Sequence, residues 1–84
     1  MTGIDVDRLA PQLFAVVQHD DEEDWIAAWG MAFEDHAEVA STSGDLRMLT
    51  ASPESALRYF EEGDSVITRL VWVNTARTGG PALL

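Results

Sequence analysis

The sequence contains no cysteine and no lysine. Without cysteine the chain can form neither disulfide bonds nor thiolate metal sites, so we do not expect an extracellular scaffold that depends on disulfides. The opening residues, MTGIDVDRL, carry acids where a secretory signal carries basic residues, and no apolar run approaches the roughly 18 residues of a membrane span. We therefore expect a cytoplasmic protein that does not insert into a membrane.

Basic residues are scarce as well. The chain has five arginines and fifteen acidic residues, which gives a formal net charge of −10. This charge repels nucleic acid and anionic lipid surfaces and attracts basic proteins. We expect a protein partner of basic character and no binding to nucleic acid. The use of arginine without any lysine, beside many alanines, is typical of GC-rich bacterial coding.

The length of 84 residues predicts a single domain, 1–84. A chain this short buries only about 60 to 65% of its extended surface, so its core must be thin. Hydrophobic residues nevertheless make up 46% of the chain, which is too apolar for a disordered protein. We expect an ordered part over 5–75 and a flexible C-terminal tail over 76–84.

The first segment, IDVDRLAPQLFAVVQ, carries apolar residues at the spacing of one helical face. The pattern predicts a helix over 6–18. Pro11 fits only the first turn of a helix, so the start can lie nearer Ala10. The run LFAVV would also suit a strand.

Residues 25–34 fit both a helix and a strand. Trp25, Trp29 and Phe33 form a helical stripe, but they also belong to a strict alternation. We favour a strand because Gly30 would cost a helix interior about 1 kcal/mol. With AEVAS and LRMLT, which follow, it forms an antiparallel meander whose second turn is STSGD.

The segment SPESALRYFEEG predicts a short helix with a serine cap, proline in its first turn and Gly63 after its end. The run SVITRLVWVN is rich in β-branched residues and predicts a central strand. The predicted fold class is α+β, with the order α-β-β-β-α-β. We expect an antiparallel or mixed four-stranded sheet with the helices on one face and the last strand beside the first.

The acidic run QHDDEEDW is the most unusual local feature. A calcium-binding EF-hand loop that began at Asp20 would place Trp25 where glycine is needed and Met31 where glutamate is needed. We therefore predict no metal site and interpret the run as a charged connection. His19 precedes Asp20 and His36 follows Asp35 in the chain, but we interpret both histidines as solvated turn residues.

No motif in the sequence supports catalysis or a cofactor. The chain has no G-x-S-x-G nucleophile motif, and the TGGP segment lacks the spacing of a phosphate-binding loop. We expect neither a catalytic residue nor a cofactor. Arg47, Arg58 and Arg69 are expected to pair with acids such as Glu54, Glu61, Glu62 and Asp64 at the surface.

One face of the predicted sheet has nothing to cover it, and an exposed apolar face usually becomes an interface. The predicted partner interface comprises Asp21, Glu22, Glu23, Ile26, Ala28 and Val71. We predict a small acidic regulatory module without catalytic activity that binds a protein and forms a homodimer. Its partner would be a toxin or a DNA-binding protein. The alternative is a small-molecule-binding domain or minimal enzyme that uses His36, Tyr59 and arginines in a sheet-helix cleft.

Overall fold

A computed structural model describes residues 3–73, and these form a five-stranded antiparallel sheet with one helix packed on it. The predicted tail over 76–84 lies outside the described residues. The helices are α1 (Val6–Leu9) and α2 (Pro53–Phe60), and the strands are β1 (Gln12–His19), β2 (Asp24–Ala32), β3 (Ala37–Ser41), β4 (Arg47–Thr50) and β5 (Ile67–Trp72). The strand order across the sheet is β4-β3-β2-β1-β5. The α+β class is confirmed, but the element order is α-β-β-β-β-α-β.

The helix predicted over 6–18 is wrong beyond its first turn. The helix α1 begins after Asp5, whose side chain caps it, and ends at Leu9. Ala10 is already extended, with ψ of 144°, because the ring of Pro11 disfavours helical backbone in the residue before it. The apolar run LFAVV that follows Pro11 then forms the centre of β1, so the sheet gains a fifth strand.

The meander of β2, β3 and β4 is confirmed, with β2 over Asp24–Ala32. Its second turn uses Gly44 at a φ of 85°, where any side chain would be strained. The final strand is confirmed as well, but its predicted place beside the strand of residues 25–34 is wrong. It pairs with β1, in the segment predicted as helix, and lies at the edge of the sheet. It is therefore not the central strand that its apolar run predicted.

The helix α2 forms where its signals predicted it. The Ser52 hydroxyl accepts a hydrogen bond from the Ser55 backbone N–H at 3.3 Å, and Pro53 occupies the first turn. One face of α2 packs on the sheet, and Ala56 at its centre is fully buried. No residue of α1 is buried, so only α2 covers the sheet and the prediction that both helices pack on one face is wrong for α1.

The core lies between α2 and one face of the sheet. Because directly paired residues share a face, the register places Phe14, Gly30, Val39 and Met48 in one row on this covered face. The buried core consists of Phe14, Val16, Ala28, Ala37, Val39 and Ala56. Much of it is built from alanine, as expected for a short chain with a thin core.

Candidate functional site

The face of the sheet opposite α2 is here called the open face. Its side chains alternate with those of the covered face, so the strand register identifies them. The apolar members are Leu13, Ala15, Val17, Ile26, Trp29, Met31, Ala40, Leu49, Ile67 and Val71. Within residues 3–73 no helix packs on this face. Ala15 is buried among its neighbours, and five of these side chains are exposed: Leu13, Ile26, Trp29, Leu49 and Ile67. Soluble domains rarely leave several neighbouring large apolar side chains exposed.

The open face is uneven. Trp29 stands at its centre with 46% of its surface exposed, and Leu49 on the edge strand β4 is 70% exposed. Beside Trp29 lies a depression of about 520 Å³, whose lining includes Met31, Ala40 and Arg47. Ala40, the direct cross-strand partner of Trp29, contributes only a methyl side chain to the lining.

Few charges lie on the open face. Of the fifteen acids, the register places only Asp24 and Glu38 there, together with Arg47, Arg69 and His19. Among residues 3–73 the ion pairs within 4.0 Å all involve His36, so the predicted surface pairing of Arg47, Arg58 and Arg69 with acids is wrong. The open face is therefore nearly neutral on a strongly acidic protein.

The predicted interface residues of the sheet lie on different faces. Ile26 and Val71 belong to the open face, opposite Val17 and Ala15 respectively. Ala28 is fully buried on the covered face, so its prediction as an interface residue is wrong.

The cause is a β-bulge in β2. Val16 pairs with Ala28 and Val17 pairs with Ile26, so Ala27 is an extra residue and the alternation reverses across it. The Thr42 hydroxyl donates to the carbonyl oxygens of Ile26 and Ala27, at 2.9 and 3.2 Å, and holds the bulge in place. For the same reason Trp25 and Trp29, predicted to share one stripe, lie on opposite faces.

Asp21, Glu22 and Glu23 lie in the turn between β1 and β2, at one end of the sheet. All three are exposed. The turn is organised by Asp20, whose carboxylate accepts hydrogen bonds from the backbone N–H groups of Glu22 and Glu23 at 2.8 and 2.9 Å. These bonds, that from Glu22 first, lower the pKa of Asp20 below its ordinary value.

The two histidines lie at opposite ends of β2. His19 is paired with Asp24 where the strand begins, and His36 follows its last residue by four positions. The prediction that both are turn residues is wrong for His19, which is the last residue of β1; His36 does lie in a turn, between β2 and β3, and is only partly exposed. Its Nδ1 lies 2.8 Å from the Asp35 carboxylate, and its ring stacks on Phe33 with 4.6 Å between centroids. The hydrogen bond with Asp35, and then Glu38 at 3.6 Å, raises the pKa of His36.

The polar residue that sequence reasoning missed is Gln18, which is 2% exposed on the covered face. Its amide nitrogen donates to the carbonyl of Phe60 at 2.6 Å and to the Thr68 hydroxyl at 3.3 Å, while its oxygen accepts from the Trp25 indole N–H at 3.0 Å. Gln18 thereby joins β1, β2, β5 and the end of α2. The arrangement is structural, because every polar atom of the side chain is paired within the protein.

Among residues 3–73 no cluster of three or more His, Cys, Asp or Glu side chains is arranged to hold a metal ion. No helix in this part of the chain is long and apolar enough to cross a membrane. Comparison with protein-family models, curated proteins and solved structures finds no match to this chain.

Proposed function

We propose that this protein is a small regulatory module without catalytic activity that acts by binding other protein chains through the open face. The observation that supports the proposal is the exposed apolar surface around Trp29 and Leu49, on the side of the sheet that α2 leaves free. Aromatic residues that stand out of an apolar surface contribute much of the binding energy of protein interfaces.

The acidic surface gives this module a preference among partners. The strand register places only two of the fifteen acids on the open face, and three others form the exposed group Asp21–Glu23. A net charge of −10 accelerates the approach of a basic chain at low salt. We propose a basic protein as a second, heterologous partner, held by the acidic surface away from the open face, and, from the absence of cysteine, the cytoplasm as the location of this protein.

The test is affinity capture from the native cell extract with the wild-type protein and two variants. Leu49→Ser removes an exposed side chain of the open face, and Tyr59→Ser, at a position 60% exposed on α2, is the matched control. We expect the wild type and Tyr59→Ser to retain a protein chain, either this one or another, that Leu49→Ser loses. Equal retention by all three would contradict a role for the open face.

The same extract distinguishes the alternative function. A small-molecule binder would retain no protein chain and would gain thermal stability from the low-molecular-weight fraction of the extract. The depression beside Trp29 would be the place for such a ligand. This combination of results would replace the proposed function.

A further inference from the structure

The open face carries a protrusion and a depression side by side. Trp29 projects from β2, and Ala40, directly opposite on β3, lies under the depression of about 520 Å³. A cavity of about 150 Å³ already accommodates benzene, so the depression has room for an indole ring. A surface that holds both shapes as neighbours can fit a copy of itself.

We propose that two copies of this chain pack open face to open face, with Trp29 of each copy in the depression above Ala40 of the other. A two-fold axis that runs along the strands between β2 and β3 exchanges the two positions, so both insertions occur at once. The same axis places Leu49 on β4 against Leu13 on β1 of the second copy. The contact is then an aligned packing of two sheets.

The charges on the open face fit this occupant. Arg47 lies in the same row as Trp29 and Ala40, and no carboxylate among residues 3–73 lies within 4.0 Å of it. An indole that enters from the second copy would lie beside the guanidinium, and such cation–π contacts are favourable. No strong patch of one sign is brought against itself, because Asp24 and Glu38 are the only acids at this face.

A basic heterologous partner fits this face less well. Its cations would be attracted to the acids that the register does not place on this face, whereas within residues 3–73 the open face presents Arg47 and Arg69. The inference rests on the proposed function, since it names one chain that the open face binds. In such a dimer the acidic surfaces outside the open face stay free for a basic protein.

Sedimentation equilibrium of the full chain across a concentration series, at about 0.05 M and about 0.5 M salt, tests the dimer. We expect a monomer–dimer equilibrium that becomes tighter at high salt, because screening weakens the repulsion between two chains of charge −10. Trp29→Ser should weaken the dimer about 30-fold or more, as for a central aromatic residue of an interface. Tyr59→Ser should leave the dimer unchanged.

Leu49→Ser guards against misfolding of the Trp29 variant, because Leu49 is 70% exposed and its loss removes little packing in the monomer. It should also weaken the dimer, with an unchanged circular dichroism spectrum. A monomer at every concentration, a dimer that both variants leave intact, or a dimer loosened by salt would each overturn the inference. If the protein is monomeric but Leu49→Ser still loses a different captured chain, the proposed function stands and only the second copy is wrong.

Discussion

The ring of Phe14 occupies the space that a Cβ atom on Gly30 would need. The two residues are direct cross-strand partners on the covered face, and the ring atoms lie closer to an ideal Cβ position than real Cβ atoms approach their neighbours. Phe14 itself is fully buried and meets Trp72 edge to face, with 5.6 Å between centroids. A glycine in a strand therefore allows the largest core side chain to lie flat over it.

Gly30→Ala is expected to destabilise the protein by about 2 to 3 kcal/mol, because the new methyl group must displace a packed ring in a thin core. Urea unfolding followed by circular dichroism measures the effect. The double variant Gly30→Ala with Phe14→Leu should lose less stability than the sum of the losses in the two single variants, since the smaller side chain makes room for the methyl group. Simple additivity would show that Gly30 has another role.

Gln18→Leu is expected to destabilise the protein by about 1 to 3 kcal/mol, because it leaves the carbonyl of Phe60 and the indole N–H of Trp25 without their partner. The substitution keeps the approximate shape of the side chain, so the loss reports on hydrogen bonding. Thermal unfolding of this variant beside Gln12→Leu, an exposed position on the same strand, provides the measurement. Equal stability of the two variants would rule out a structural role for the buried amide.

Because of the bulge at Ala27, substitutions at two nearby residues are expected to differ in how much stability they cost. Ala28→Leu should destabilise the fold by about 1 to 3 kcal/mol, because Ala28 is fully buried under α2. Ile26→Ala should cost about 1 kcal/mol or less, because this side chain lies on the open face. Chemical denaturation at low protein concentration separates folding from association. The reverse order of the two costs would place the residues on the other faces.

His36 should make stability depend on pH near neutrality. Since the hydrogen bond with Asp35 raises its pKa in the folded protein, the stabilising contribution is complete below the ordinary pKa of about 6.5 and is lost as pH rises through the higher folded value. As the pH rises from about 6 to about 8, we expect the urea midpoint of the wild type to decrease relative to that of His36→Gln. A constant difference between the two proteins over this range would contradict the prediction.

The turn between β1 and β2 should depend on Asp20 and not on the acids after it. Replacing Asp21, Glu22 and Glu23 together with serine keeps the backbone N–H groups that Asp20 binds, so the melting temperature should change little. Asp20→Ala removes the acceptor and should lower the melting temperature further than the triple variant does.

The triple variant should also capture a basic partner more slowly at low salt. Its matched control replaces the exposed acids Glu34, Glu61 and Glu62, which alters the net charge equally.

Local signals in the sequence were sufficient for several elements. The capping serine and proline of α2 act within a few residues, and alternation with turn residues identified β2, β3 and β4. The low proportion of basic residues also determined the acidic surface. These features depend on near neighbours in the chain, so they can be predicted from the sequence alone.

The three-dimensional structure alone decided the rest. An apolar spacing that suits a helix became β1 because Pro11 stopped the helix and two strands, β2 and β5, supplied partners on either side. The bulge at Ala27 then reversed which side chains face α2, a change that strict alternation cannot anticipate. The candidate site, with Trp29 beside the depression over Ala40, exists only through pairing between β2 and β3. Which residues meet across strands depends on register, and register is set by the packing of the whole sheet.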